Sequence, residues 1–221
     1  MGPTQAGITA LVTAYARAYH ATHDSPKIFD DSIADQLYSP EEHRSFDKSL
    51  ASVLSRYAAI DPDFVASKPN DAAALAWIMQ HMHGPVTLSR SRYTEECLIE
   101  AVRGGVRQYV ILGAGFDTFA FRRPDLLKEL RVFEVDHPVT QRMKRDRLAL
   151  AGWNIPTQLH FVPIDFSVQS LTDILHQTDY DPKQLTFFSW LGVTFYLTRE
   201  AVHAALRALT TIAPQGQHPC F

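Results

Sequence analysis

Three short segments of this 221-residue chain carry glycine, carboxylate and aromatic groups where a parallel sheet would expose them along one edge. The first is YVILGAGFDT, an apolar run that enters a turn at Gly113-Ala114-Gly115. Glycine adopts backbone conformations closed to other residues and has no Cβ, so the chain can turn sharply there and approach a ligand closely. The second, Val132-Phe133-Glu134-Val135-Asp136, ends on an acid 23 residues after Gly113. In doubly wound sheets an acid at that tip accepts hydrogen bonds from the hydroxyls of a ribose. With Phe133 and Val135 turned to the core, alternation sends Glu134 and Asp136 to the other side, and only Asp136 reaches the tip. Asp136 equally suits the N-cap of a helix entering at Pro138, and this segment alone supports both roles. The third, Pro163-Ile164-Asp165-Phe166-Ser167, places a carboxylate beside an aromatic. That pair can accept from an exocyclic amine and cover its ring, or simply open a turn. Together the three strand ends describe a nucleoside-binding edge, which no one of them does alone.

What is missing narrows the nucleoside. A dinucleotide fingerprint continues as G-x-G-x-x-G, but Thr118 stands where the third glycine belongs and Asp117 lies inside the turn. A carboxylate there repels pyrophosphate. It accepts instead from an ammonium group, which S-adenosylmethionine carries in its amino-acid moiety and NAD lacks. The carboxylate of that moiety calls for a guanidinium. Ser89-Arg90-Ser91-Arg92-Tyr93 supplies two, although Arg90 and Arg92 serve as well as surface charges at the start of a helix. His137 and His160 are conceivable bases, but structural roles account for both, so no catalytic base is assigned. His81 and His83 are too sparse for a metal site, and none is expected. Tyr196 is a conceivable lining for an acceptor pocket, with core packing as its alternative.

These residues need elements to hold them. Short, nearly continuous apolar strands are expected at 109–112, 131–135, 159–162 and 185–190, alternating with helices, which implies a parallel sheet covered on both faces. Cys97, Leu98, Ala101 and Val102 mark one face of the helix before the first strand, closed by Gly104-Gly105. The preceding residues read as a helical cap, assigned to 1–90, with the sheet domain assigned to 91–221. Ile8, Leu11, Val12, Tyr15 and Tyr19 form a helical stripe that Asp24-Ser25-Pro26 terminates. A second stripe runs from Phe46 to Tyr57. A third carries Leu75, Ile78, Met79 and Met82, with Asp71 as its N-cap and His83-Gly84-Pro85 as its stop.

Composition excludes several classes. The chain is 46% hydrophobic and 20% charged, with a net charge of -3, so no global basic field draws in nucleic acid. Arg142, Lys144, Arg145 and Arg147 read as a solvated helix face. There is no apolar run of membrane-spanning length and no signal-peptide layout, so no membrane association and a cytoplasmic location are expected. Cys97 and Cys220 suggest neither a disulfide framework nor a zinc site.

Four segments resemble the leucine carboxyl methyltransferase family, and within it the bacterial branch of S-adenosylmethionine-dependent O-methyltransferases that includes polyketide carboxyl methyltransferases. They are SRSRYTEECLIEAV, RQYVILGAGFDTFAFRRP, VFEVDHPVTQRMKRDRL and FFSWLGVTFYLTREAV, with HFVPIDFS between the last two. ITALVTAYARAYH and PKIFDDSIADQL are similar to the family's helical lead-in, so the resemblance runs from about Ile8 to Pro214. It implies a class I methyltransferase fold, Rossmann-like, with S-adenosyl-L-methionine as cofactor. It further implies Arg90 or Arg92 on the methionine carboxylate, Gly113 at the turn, Asp136 on the ribose, and Asp165 with Phe166 at the adenine. The reaction implied is methyl transfer to a carboxylate or hydroxyl oxygen of a small-molecule acceptor.

Two departures qualify this. Trp190-Leu191 precedes Gly192-Val193 where many family members have an acid, so no carboxylate role transfers there. The fold class also has seven strands, whereas only four are legible before Gln215, and neither length nor pattern of a fifth follows the helix over Glu200–Ile212. The chain is therefore expected to be cut short after about Pro214, with its fourth strand left as an open edge and half of the usual substrate wall missing. Two rivals stand: a non-catalytic remnant or interaction protein, favoured by that ending, and an NAD-dependent oxidoreductase, disfavoured by Thr118 and Asp117. Oligomeric state is not indicated.

Overall fold

A computed structural model of the chain describes residues 3–166, 168–212 and 219–220. These fall into two compact units, residues 12–91 and residues 1–11 together with 92–221.

The 12–91 unit is helical. α1 (Pro3–His23) ends where Asp24-Ser25-Pro26 places its stop, with the Asp24 N–H on the His20 carbonyl at 3.1 Å. α2 (Pro40–Ser52) starts from a reciprocal cap in which Glu42 N–H donates to Ser39 Oγ and Ser39 N–H to Glu42 Oε2. The expected stripe from Phe46 to Tyr57 is divided, because α2 stops at Ser52 and a 3-10 turn takes Leu54–Tyr57. α3 (Pro62–Ala66) and α4 (Asp71–Ile78) follow. The N-cap of α4 is Asn70 rather than Asp71: Asn70 is extended and its side chain accepts from Ala73 N–H. Asp71 is already helical and sets its charge in the first turn, at the positive end of the dipole.

The expected stop at His83-Gly84-Pro85 does not occur. Met79–His83 form a π turn and α5 (Gly84–Arg103) continues from it. The wider turn carries the Gly84 N–H to the Met79 carbonyl, and Pro85 follows as the second residue of α5. Arg90 and Arg92 therefore lie inside α5 and not at its start. Gly105, at φ +100°, closes α5 as expected.

The other unit is built on a five-stranded parallel sheet. Its strands are β1 (Gln108–Leu112), β2 (Arg131–Asp136), β3 (Leu159–Pro163), β4 (Thr186–Trp190) and β5 (Pro219–Cys220), in spatial order β3-β2-β1-β4-β5. α6 (Phe119–Arg122), α7 (Pro138–Leu150), α8 (Leu171–Leu175) and α9 (Arg199–Ile212) connect them. All four anticipated strands form. Alternation is as expected: Val110, Leu112, Phe133, Val135, Phe188 and Trp190 share one core with α8 and α9, while Tyr109, Ile111, Val132 and Phe187 share another with α5 and α6.

The sheet does not end at β4 as expected. Pro219 and Cys220 pair in parallel with Phe188 and Ser189. A two-residue strand is joined through main-chain groups and needs no apolar run, so the side-chain pattern could not reveal it; proline is tolerated at a strand's first position. The remaining tail residues, 213–218 and 221, lie outside the described residues. Among the described residues no helix is long and apolar enough to cross a membrane.

Candidate functional site

Strands to one side of β1 run 2 then 3, and to the other side 4 then 5, so chain direction across the sheet reverses at β1. The C-terminal edge at such a switch point is where doubly wound sheets bind ligands. The turn after β1 lies there. Gly113 and Gly115 have φ of +69° and +54°, which a side chain would strain. The N–H groups of Gly113 and Ala114 both donate to the Val135 carbonyl, at 2.7 and 3.2 Å, so the turn folds onto the end of β2. The space left by the missing Cβ atoms is filled by protein: one added at Gly113 would lie 2.1 Å from Val193 Cγ2, and one at Gly115 would lie 3.0 Å from Ala10 Cβ.

Asp136 connects the turn to the β2 tip. Its Oδ2 accepts from Gly115 N–H at 2.5 Å and its Oδ1 from His137 N–H at 2.6 Å. Asp136 does not cap α7; His137 does, accepting at Nδ1 from Val139 N–H at 3.2 Å. Each carboxylate oxygen keeps a lone pair for a further donor. Burial pushes the Asp136 carboxyl above its usual range, opposed by the Gly115 and His137 N–H donors and the Lys144 charge.

Asp117 is anchored at three points. Its N–H donates to the Ala114 carbonyl, its Oδ1 accepts from Phe119 N–H at 2.7 Å, and its carbonyl accepts from Lys144 Nζ at 2.6 Å. No other described residue bonds Oδ2. Lys144 is not on the solvated face to which its neighbours assigned it. It is buried, with Nζ 2.5 Å from Glu134 Oε2, while Arg142 and Arg145 remain exposed. Thr140, Gln141, Lys144 and Leu148 are all buried on α7 at spacings that share one face, and Leu148 was the one apolar signal of that face. Gln141 Nε2 adds a bond to the Glu134 carbonyl at 3.0 Å. Burial pushes the Glu134 carboxyl up to about 7 against the pull of Lys144, with Asp117 and Asp136 adding to the rise.

At the β3 tip Ile164 N–H donates to the Asp136 carbonyl at 2.8 Å, drawing the next residue beside the β2 tip. Asp165 Oδ2 lies 3.8 Å from His137 Nε2, and the partly buried Phe166 packs against the core beneath β3. Gly113, Gly115, Asp117, Asp136, Asp165 and Phe166 thus come together along one edge. The two arginines behave differently from each other. Two residues apart on a helix, they point about 200° apart, so one ligand group cannot take both. Arg92 is exposed and its Nε donates to Glu96 at 2.7 Å, whereas Arg90 is half-buried. His160 stacks on Phe133 with ring centres 4.9 Å apart.

The helical unit has a cleft of its own, about 480 Å³, lined by Tyr15, Tyr19, His43 and Asp47 among others. Two of its three acids are paired: Tyr15 donates to Asp47, and His43 Nε2 lies 3.1 Å from Asp35 Oδ1. None of the candidate cofactor-site residues read from the sequence lines it. Chemical weight therefore rests on the sheet edge. Among the described residues no three His, Cys, Asp or Glu side chains gather as they would around a metal ion.

A parallel 3-2-1-4-5 sheet with a glycine turn and an acidic tip at its switch point defines a doubly wound nucleoside-binding domain. Within that class, the chain belongs to the leucine carboxyl methyltransferase family, whose model matches residues 10–210. It is 39% identical over 221 residues to YktD of Bacillus subtilis strain 168, covering all of this chain and 72% of that protein. It is 27% identical to Franean1_4929 of Parafrankia sp. strain EAN1pec, covering 97% of this chain and 62% of that protein. It is 30% identical to Rv3787c of Mycobacterium tuberculosis strain H37Rv, covering 96% and 64%. The names of all three record an inferred S-adenosyl-L-methionine-dependent methyltransferase. The chain spans just under two thirds of the length of the second and third of these relatives.

Proposed function

We propose that this chain carries the cofactor site of an S-adenosyl-L-methionine-dependent methyltransferase that acts on a carboxylate or hydroxyl oxygen of a small molecule. The observation that carries the reading is the Asp136 carboxylate at the β2 tip, bonded to the Gly115 N–H of the turn at the switch point. The donor and acceptor set along this edge suits that cofactor in chemistry and order. Asp136 accepts from the ribose hydroxyls, Asp165 accepts from the adenine amine, and Phe166 covers the ring. Asp117 Oδ2 receives the ammonium of the methionine moiety; its carboxylate calls for a guanidinium, the role that the family resemblance gives to Arg90 or Arg92.

When bound, the cofactor supplies an electrophilic methyl group on a sulfonium. The chain's own residues hold that group in line with the acceptor oxygen and exclude water, which is where most of the rate would come from. A carboxylate acceptor is already nucleophilic and needs no base. NAD fits less well, since Asp117 stands where its pyrophosphate would pass. The names of the relatives support the choice of cofactor, and the family supports an oxygen acceptor.

Calorimetric titration with S-adenosylhomocysteine and, separately, with NAD tests this. Binding of the former alone is expected, and Asp136→Ala is expected to weaken it by about tenfold or more, the worth of charge-assisted hydrogen bonds to one diol. Equal binding by the variant would remove the ribose assignment. Tight NAD binding without S-adenosylhomocysteine binding would replace the reading with the oxidoreductase one.

A further inference from the structure

We propose that Lys144 is a positioning residue for the cofactor turn: it acts through the Asp117 carbonyl, and Glu134 is the counter-charge that lets an ammonium stay buried there. This rests on the S-adenosylmethionine reading above and extends it to two residues that touch no part of the proposed ligand.

The Lys144 and Glu134 side chains are each 1% exposed, and they lie under the edge on α7 and β2. An ion pair so deep is a poor way to stabilise a core, because well-packed apolar side chains of similar volume do as well or better. Glu134 also leaves Oε1 buried without a partner, so only one of its oxygens is used, and that oxygen is on Lys144. What apolar replacements could not do is donate to a carbonyl. Lys144 Nζ donates to Asp117 O at 2.6 Å, a bond from a side chain of α7 to the main chain of the turn.

The turn's own bonds leave a gap that this one fills. Gly113 and Ala114 are fixed to Val135, Gly115 is fixed to Asp136, and the Asp117 N–H and Oδ1 are fixed within the turn and the start of α6. The Lys144 bond holds the carbonyl end of the Asp117–Thr118 peptide plane. The plane directs the Asp117 Cα–Cβ bond and so aims Oδ2. Gln141, one turn earlier on α7, holds the helix to β2 through the Glu134 carbonyl, so the distance from Nζ to the turn is kept.

The test compares the unaltered chain, Glu134→Gln, and the double variant Glu134→Leu/Lys144→Met, using thermal unfolding, amide hydrogen exchange and S-adenosylhomocysteine calorimetry. The double variant is expected to keep a cooperative unfolding transition. Its Gly115 and Phe119 amides should exchange about tenfold faster or more while β1 and β2 amides stay as they were, and its affinity should fall about tenfold or more. Glu134→Gln keeps the shape but removes the counter-charge, so the buried ammonium loses its partner, and turn protection and affinity should fall about threefold or more, though less than in the double variant. A double variant with unchanged turn exchange and unchanged affinity overturns the proposal and leaves the pair as packing only. If the double variant does not fold, Glu134→Gln decides alone: lost protection at 113–119 with β1 and β2 amides unchanged supports the proposal, and retained protection overturns it. Failure of the unaltered chain to bind S-adenosylhomocysteine refutes the cofactor reading, while the exchange comparison, which needs no ligand, still reports whether Lys144 holds the turn.

Discussion

Gly113 is glycine for two separable reasons, its φ of +69° and the Val193 methyl that would lie 2.1 Å from a Cβ. Gly113→Ala should cost about 2 kcal/mol or more in urea unfolding, and adding Val193→Ala should recover only the steric part, because the backbone strain of about 1–2 kcal/mol remains. A double variant as stable as the unaltered chain would show that the turn relaxes at no cost. Glu134 makes a prediction in pH. Burial raises its folded carboxyl to about 7, so the folded chain holds that proton more tightly than the unfolded chain does. The resulting stability is present below the ordinary carboxyl range near 4.5 and is lost as pH rises through about 7. Asp136, also raised by burial, acts with the same sign. Relative to Glu134→Gln, the unaltered chain should lose on the order of 1–3 kcal/mol between about pH 5 and pH 8. Parallel stability curves for the two would show that Lys144 offsets the burial.

Among the elements, the π turn joining α4 to α5 makes a sharp test of how local propensity competes with tertiary geometry. Alanine in place of glycine ordinarily stabilises a helix by about 1 kcal/mol. At Gly84 the new Cβ would stand 2.5 Å from the Met79 carbonyl oxygen, a backbone atom that cannot swing aside. Gly84→Ala should therefore lower the thermal midpoint, by about 1–3 kcal/mol in stability. A raised midpoint would mean that the segment had converted to regular α-helix with a shifted register. Arg90 and Arg92 lie on the far side of this turn from α4, so such a shift would also redirect them.

For the molecule as a whole, the expected signature is ligand linkage. Anything that binds only the folded state stabilises it by about 2.7 kcal/mol at a hundred times Kd, so saturating S-adenosylhomocysteine should raise the thermal midpoint by roughly 5–10 °C at this size, and NAD should not. No shift with either would favour a chain that keeps the fold without the site. The two units, residues 12–91 and residues 1–11 with 92–221, can be followed separately by hydrogen exchange; the shift should be accompanied by protection along the β1, β2 and β3 tips.

The sequence by itself determined the α/β class, the four principal strands and six of the edge groups, because each is a local signal. Buried parallel strands read as apolar runs, a turn with φ above zero calls for glycine, and an acid at a strand tip needs only alternation to be aimed. It did not determine where α4 gives way to α5, since Gly-Pro reads as a stop and the π turn that avoids the clash depends on the Met79 carbonyl five residues back. Nor could it show β5, whose pairing uses main-chain groups. The burial of Lys144 was decided by tertiary structure alone. A lysine on a basic stretch is solvated unless a carboxylate from another strand and a carbonyl from another turn meet it, and only the folded chain brings Glu134 and Asp117 to one nitrogen.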